Sequence, residues 1–148
     1  MAIDVRVLRP DESAVLDHVA PGVFDDPIDA RWAAEFFADP RHHLAVALAG
    51  GQVVGMASGI HYVHPDKPPE LWINEVGVAP AYQGQRIGTR LLDVLLEHAR
   101  TLGCGEAWVL TDQDNHIAQR LYRGAGGRMA DEPPVMFTFL LPPRTPTV

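Results

Sequence analysis

The chain has 148 residues, 47% of them hydrophobic, which suits one domain with a sizeable core and excludes a disordered segment. Its formal net charge of −7 disfavours nucleic acid as a partner, because binding to phosphates requires a basic surface. A single cysteine, Cys104, excludes a disulfide within the chain. No apolar run reaches the roughly 18 residues of a membrane span. We therefore expect one domain over residues 1–148, in the cytoplasm, with neither nucleic acid nor a membrane as partner.

The pattern of apolar residues predicts a sheet flanked by helices. Strands are expected at 3–10, in the two arms of a hairpin within 43–63, and at 71–78, 106–111 and 135–141. Helices are expected at 11–19, with Asp11 as cap, and at 29–40, 87–102 and 114–127. Gly50 and Gly51 should form the turn of the hairpin, while the proline-rich loop 64–69 should interrupt the sheet. This order predicts an α/β or α+β domain with a mixed sheet.

A glycine-containing loop joins the central strand 71–78 to the next helix. Its sequence, YQGQRIG, holds Gly84 and Gly88, with Arg86 between them where another glycine would be expected. Backbone N–H groups in such a turn point into one concavity, and the helix N-terminus adds a partial positive charge, so an anion fits there. The loop lacks both the Gly-Lys-Ser/Thr of a Walker loop and the Gly-x-Gly-x-x-Gly of a dinucleotide fingerprint.

Two segments carry a resemblance to a known family. The strand end VGVAP at 76–80 and the loop QGQRIG at 83–88 resemble motif A of the GNAT N-acetyltransferase superfamily. Asn115, Ala118 and Tyr122 match a second segment of that family, Asn-x-x-Ala-x-x-x-Tyr. The segments INEVGV, LTDQDN and VMFTF give a narrower resemblance to small aminoglycoside 3-N-acetyltransferases.

The resemblance implies the GNAT fold, with acetyl-coenzyme A in a cleft between splayed strands of a central mixed sheet. Backbone groups should hold most of this cosubstrate, so Arg86, in place of the family's central glycine, puts only the local loop geometry in doubt. The implied contacts of acetyl-coenzyme A are Val76, Gly77, Val78, Gln83, Gly84, Gln85, Arg86, Ile87, Gly88, Thr89 and Asn115. The alternative for Arg86 is a solvated side chain, and the alternative for Asn115 is a helix cap. The histidines have no ligand spacing, so no metal is expected.

Acetyl transfer to an amine needs a base for the amine and an acid for the departing thiolate. Glu75 is the candidate base, because a carboxylate among apolar neighbours on a central strand is unusual unless it is paired or functional. The alternative for Glu75 is a salt-bridged strand residue. By resemblance, Tyr122 is the candidate acid, with a hydrogen-bonded core aromatic as the alternative.

The acidic residues favour a cationic acceptor. Asp112 and Asp114 follow strand 106–111 at its C-terminal end, where such sheets bind ligands, and together with Glu70 they are the candidate acceptor-binding residues. Asp25, Asp26 and Asp29 could complete this acidic acceptor site, but they are interpreted as solvated loop residues. Trp72 and Trp108 are interpreted as core residues rather than as platforms for the substrate.

The leading hypothesis is an aminoglycoside N-acetyltransferase that acts at a 3-amino group and confers antibiotic resistance. Within the same family, the acceptor could instead be a polyamine, another small amine, or a peptide or protein amine. A hypothesis of another class is a non-catalytic acyl-coenzyme A sensor, against which Glu75 and Tyr122 favour catalysis. The sequence leaves the oligomeric state open, a homodimer included.

Overall fold

The strands of the chain form one mixed sheet. In a computed structural model that describes residues 2–145, the sheet has five strands, and their order in space follows their order in the chain. They are β1 Ile3–Val7, β2 His42–Ala49, β3 Gln52–His64, β4 Lys67–Val78 and β5 Glu106–Val109. The pairs from β1 to β4 are antiparallel, whereas β5 runs parallel to β4. The expected mixed sheet with a central fourth strand is confirmed.

Within residues 2–145, three α-helices flank the sheet: α1 Ala30–Ala38, α2 Ile87–Thr101 and α3 His116–Gly124. The side chain of Asp29 begins α1 by accepting hydrogen bonds from the N–H groups of Arg31 and Trp32. α2 covers one face of β1 to β4 with an apolar stripe that repeats at helical spacing. Its buried residues are Ile87, Leu91, Leu92, Leu95 and Ala99. Among the helices that lie within residues 2–145, none is both long and apolar enough to cross a membrane.

The helix predicted at 11–19 is much shorter than expected. Only Ser13–Asp17 is helical, it is a 3₁₀ helix, and Asp11 does not cap it. One buried residue, Leu16, is too small an apolar stripe to stabilise a full α-helix. The carboxylate of Glu12 instead stabilises the turn between β1 and this 3₁₀ helix. It accepts hydrogen bonds of 2.7 Å from the backbone N–H of Arg9 and from the guanidinium of Arg6.

β3 and β4 are longer than predicted and form a hairpin, so the prediction that loop 64–69 interrupts the sheet was wrong. β4 begins at Lys67 and contains Pro68 and Pro69. The register between β3 and β4 shifts in this region, and a bulge tolerates residues that lack an N–H donor. On its other side, β4 pairs with β5 only from Glu70 onward.

The strand predicted at 135–141 is absent from the sheet, and that prediction was also wrong. Six apolar side chains of this segment are between 77% and 90% exposed. They are Val135, Met136, Phe137, Phe139, Leu140 and Leu141. β5 is therefore the edge of the described sheet, and it ends at Val109, two residues before the predicted end. Residues 146–148 of the predicted tail lie outside the described residues.

Three histidines from different elements form a hydrogen-bonded chain through the protein. Nε2 of His98 on α2 lies 2.9 Å from Nδ1 of His43 on β2, and Nε2 of His43 lies 2.7 Å from Nδ1 of His61 on β3. His43 is only 7% exposed. The two nitrogens of its ring point to different neighbours, so the three rings do not converge on one point. No group of three histidine, cysteine or acidic side chains within residues 2–145 could hold a metal ion.

Candidate functional site

β4 extends beyond the end of β5 and leaves an open edge beside it, here called the cleft. The two strands pair from Glu70 opposite Glu106 to Ile73 opposite Val109, and β4 then continues without β5 to Val78. β3 still pairs with this last part of β4, so its other side is free of a strand partner. An extended ligand can hydrogen-bond to such an edge as an added strand. The pairing of β4 with β5 thus ends at Ile73, and the splaying of the two strands stays a prediction.

Gly77 allows a loop to approach this part of β4. A Cβ atom at position 77 would overlap with the backbone carbonyl of Val23. Only glycine therefore fits between the strand and the loop that follows Val23. This close contact holds the next residues of the loop, Asp25 and Asp26, near Glu75 on β4.

Glu75 lies on the sheet face opposite α2. Its partner on β3 is Ser58, three residues after Gly55, whose missing side chain would meet α2, so the alternation of the strand turns Ser58 and Glu75 the other way. Burial raises the pKa of Glu75 most, followed by a hydrogen bond shared with Asp25 and by the negative charges of Asp25 and Asp26. A carboxylate of raised pKa is a stronger base, and the group of three attracts a cation.

The interpretation of Asp25 and Asp26 as solvated loop residues missed this grouping. Both are exposed, but they lie beside Glu75, 50 residues further along the chain, and they also line a cavity of about 840 Å³ next to α1. The signal in the sequence was a pair of aspartates in a loop. That signal suggested a shared acidic site with Asp112, Asp114 and Glu70, but it did not predict the proximity to Glu75.

Loop 83–88 contains two residues in the left-handed backbone region. Gly84 has φ of 76° and Arg86 has φ of 61°. Arg86 is the only non-glycine residue with positive φ among residues 2–145, which explains why glycine is the expected residue there. The conformation costs an arginine about 1 kcal/mol. The turn leads directly into α2 with Arg86 at its N-cap position.

The first turn of α2 offers free backbone donors. Arg86 occupies the N-cap position without a side-chain capping bond, and the N–H of Arg90 donates to the carbonyl of Arg86 over 3.1 Å. The N–H groups of residues 87–89 thus have no partner within the helix, which favours an anion at this end. Nε2 of Gln83 donates to the carbonyl of Val78 over 3.1 Å and ties the loop to the end of β4.

α3 packs against the start of α2. Two predicted site residues belong to it: Asn115 at its N-cap position and Tyr122 within the helix. The absence of a side chain at Gly88 leaves space for Leu121. A Cβ atom at position 88 would lie 3.1 Å from a methyl carbon of Leu121. Tyr122 follows directly and is partly buried, and this burial raises the pKa of its hydroxyl, which therefore stays protonated at neutral pH. The side-chain oxygen of Asn115 accepts a hydrogen bond of 3.1 Å from the N–H of Ala118 and caps α3.

Trp72 on β4 and Trp108 on β5 form a stacked pair. Their ring centroids are 5.3 Å apart and their planes differ by 10°. Trp72 is 41% exposed, so the interpretation of this residue as core was wrong. α2 covers the other face of the sheet, and the alternation along β4 turns Trp72 away from it.

The sequence that forms this site matches a known protein family. Residues 12–126 match the model of the acetyltransferase (GNAT) family. This chain belongs to the GNAT family. GNAT proteins use acetyl-coenzyme A, which is consistent with the cleft and the anion-binding turn.

Two relatives differ in their acceptors. The N-alpha-acetyltransferase RimI of Mycobacterium tuberculosis is 39% identical over 104 residues, which cover 70% of this chain and 63% of RimI. A mycothiol acetyltransferase of Thermomonospora curvata is 34% identical over 80% of this chain and 38% of its own length. The GNAT chain thus spans less than two thirds of either relative.

The fold is the GNAT fold. An aminoglycoside acetyltransferase, meta-AAC0020, from an uncultured soil metagenomic sample superposes with a TM-score of 0.78 over 94% of this chain and 96% of that chain. The two sequences are 20% identical, so the comparison establishes the architecture alone.

The structure of this GNAT chain separates the three predicted acceptor-binding residues. Asp112 and Asp114 are exposed and lie beyond the C-terminal end of β5. Glu70 lies at the opposite end of the paired region, next to Glu106, and its carboxylate is 3.4 Å from Nε2 of His64. Glu70 is therefore not brought together with the two aspartates.

Proposed function

We propose that this GNAT chain transfers the acetyl group of acetyl-coenzyme A to an amine, with Glu75 as general base and Tyr122 as general acid. The observation that carries the proposal is the place of Glu75. Its carboxyl group has a raised pKa, is grouped with Asp25 and Asp26, and lies where β4 leaves β5. A sensor that only binds acyl-coenzyme A has no need for such a base.

The cosubstrate would lie along the free edge of β4. The N–H and C=O groups of residues 76–78 would bind the pantetheine arm as an added strand, and the side-chain amide of Asn115 could donate to it. The pyrophosphate would accept hydrogen bonds from the N–H groups of residues 83–89 at the start of α2. The exposed guanidinium of Arg86 is available for a phosphate of the nucleotide.

In the proposed reaction, the amine nitrogen attacks the thioester carbonyl carbon and forms the new C–N bond. Glu75 accepts the proton that this nitrogen loses, directly or through water. The developing oxyanion would accept a hydrogen bond from a backbone N–H within residues 76–78. The C–S bond then breaks, and Tyr122 donates its proton to the thiolate, so that an amide and coenzyme A are released.

For the acceptor, we propose a polycationic small molecule, with an aminoglycoside as the first candidate. The three grouped carboxylates of Asp25, Asp26 and Glu75 supply the negative charge that such a molecule requires. The sequence resemblance implies that the 3-amino group is the one acetylated. A polyamine shares the charge and is a further candidate.

The second candidate acceptor is the N-terminal amine of a protein. The 39% identity with RimI favours it, because this identity exceeds the 20% identity with the aminoglycoside acetyltransferase. The two candidates differ in what surrounds the amine: several further cationic groups in the first case, and a peptide backbone in the second.

An assay of thiol release with a panel of acceptors tests the proposal. With acetyl-coenzyme A, we expect turnover of aminoglycosides to exceed that of spermidine and of a peptide that begins with alanine. Coenzyme A should also raise the melting temperature, since a ligand at 100 times its Kd adds about 2.7 kcal/mol of stability. Absence of any shift with coenzyme A would contradict acetyl transfer as a whole, whereas turnover of the peptide alone would replace the aminoglycoside with the N-terminal amine.

We further propose that the chain forms a homodimer through the apolar segment 135–141. Six exposed apolar side chains within seven residues are costly in water, and the edge of β5 offers unpaired backbone groups. In the structure the segment lies outside its own sheet, so the β5 edge of a second copy is its proposed partner.

Sedimentation measurements test this dimer. We expect the wild-type chain to sediment as a dimer and a double variant, Phe137→Asp with Phe139→Asp, as a monomer. Replacement of the exposed Ile117 on α3 by Asp serves as the control and should leave the mass unchanged. A wild-type monomer would refute the dimer.

A further inference from the structure

We propose that the indole ring of Trp72 is a stacking platform for a ring of the amine acceptor, one that carries further cationic groups, and that it places the reacting amine at Glu75. The inference rests on the proposed acetyl transfer and narrows its acceptor class from amines in general to ring-shaped polyamines such as aminocyclitols.

The platform is rigid before any acceptor arrives. Trp72 and Trp108 are direct partners in the parallel pairing of β4 with β5, and their rings stack in the offset geometry that aromatic pairs prefer. The ring nitrogen of Trp108 donates a hydrogen bond of 2.8 Å to the hydroxyl of Tyr62 on β3. The ring of Tyr62 in turn meets that of His64 edge-on, with centroids 5.3 Å apart.

Trp72 remains partly exposed to solvent in this pair. Trp72 is 41% exposed although it lies on a central strand, between residues Leu71 and Ile73 that are at most 4% exposed. Because the ring is already held in place by Trp108, a ligand that stacks on it loses little affinity to the ordering of this side chain. The face of an indole ring attracts both apolar ring faces and cations.

The platform lies between acidic groups on the same face of the sheet. Glu75 follows Trp72 by three residues, of which Asn74 is the extra residue where the register with β3 shifts. Glu70 precedes it by two residues and contacts His64. At roughly 3.3 Å per residue, each carboxylate is about 7–10 Å from Trp72 along the strand. An acceptor with a ring in the centre and amines on both sides matches this order.

The sequence predicts that Glu70 binds the acceptor together with Asp112 and Asp114, whereas this geometry gives Glu70 a separate role. It would bind the distal cationic group of the acceptor, while Glu75, with Asp25 and Asp26, receives the reacting amine. A linear polyamine satisfies the two acidic ends but presents no ring face to Trp72.

Equilibrium binding to the protein saturated with coenzyme A tests the platform without requiring turnover. The probes are sisomicin, which has rings and several amines, spermidine, which has amines and no ring, and trehalose, which has rings and no amine. We expect Trp72→Ala to weaken sisomicin binding at least about 10-fold and Trp72→Phe to restore most of it. Spermidine binding should change by less than about 3-fold, and trehalose should bind far more weakly than sisomicin.

Trp32→Ala is the matched control, because Trp32 is 64% exposed and lies on α1. It should leave sisomicin binding unchanged, and all variants should keep the affinity for coenzyme A, which reports an intact fold.

Equal losses for sisomicin and spermidine in Trp72→Ala, or no loss for sisomicin, would overturn the platform. Failure of the wild-type protein to bind sisomicin would overturn it as well. The proposed acetyl transfer would still stand in each case if coenzyme A binds and another amine releases thiol.

Discussion

Replacing Glu75 with glutamine should slow acetyl transfer by about 10²–10⁴-fold while acetyl-coenzyme A still binds. The amide has nearly the shape of the carboxyl group but cannot accept the proton of the attacking amine. The backbone groups of the β4 edge, which are proposed to hold the cosubstrate, are unchanged by this substitution. The measurements are kcat and kcat/KM from thiol release, together with the Kd of coenzyme A.

Glu106→Gln is the matched control, since this exposed carboxylate lies at the far end of the β4–β5 pairing. It should keep the wild-type rate. A wild-type rate in Glu75→Gln would remove Glu75 as the base. Tyr122→Phe should also lower kcat with coenzyme A binding intact, because the phenylalanine has no proton to donate to the thiolate.

The pH profile separates a catalytic Glu75 from a merely structural one. Because its pKa is raised above the usual value of 4.5, the acidic limb of kcat/KM should lie at higher pH than for an ordinary glutamate. Asp25→Asn removes a negative charge beside the carboxyl group, so it should lower the pKa of Glu75 and move this limb to lower pH. An unchanged limb in Asp25→Asn would show that another group limits the rate.

The order of elements around the cofactor loop could be predicted because its signals are local. Residues 71–102 carry an apolar strand, glycines at a turn and a helical stripe, and all three lie next to one another in the chain. Arg86 did not disturb this prediction, since the turn is made by the backbone.

The contacts of the site could not be predicted because they depend on pairing between distant segments. Whether Glu75 shares a face with Trp72 is decided by one extra residue, Asn74, where the register with β3 shifts, and such a shift changes the face of every later side chain. Asp25 reaches Glu75 only because Gly77 has no side chain. No local pattern contains this information.

The segment 135–141 likewise shows that a local sequence pattern does not determine strand pairing. Its run of apolar and β-prone residues is typical of a strand, yet strand formation depends on an available partner edge. The parallel strand β5 has a free edge, but the pairing is not made within the described chain. Strand propensity is thus a property of the segment alone, whereas strand formation also requires a partner strand.

Lowering the pH from 7 to 5 should destabilise the protein by about 2 kcal/mol through His43 alone. Burial lowers the pKa of this histidine to about 4, with smaller contributions from the charges of His98, His61 and His42. In the unfolded chain its pKa returns to about 6.5. Between these two values the unfolded state binds the proton and the folded state does not, so stability is complete above pH 6.5 and declines as the pH falls toward 4.

The variant His43→Gln tests this, because an amide can hydrogen-bond to both neighbouring rings but does not titrate. We expect its free energy of unfolding, measured in urea between pH 7 and 5, to fall less steeply than that of the wild type. His116→Gln, which replaces an exposed histidine at the start of α3, should follow the wild-type curve. Parallel curves for the wild type and His43→Gln would mean that the folded protein accommodates the charge, for instance by passing the proton along the hydrogen bonds to His61 or His98.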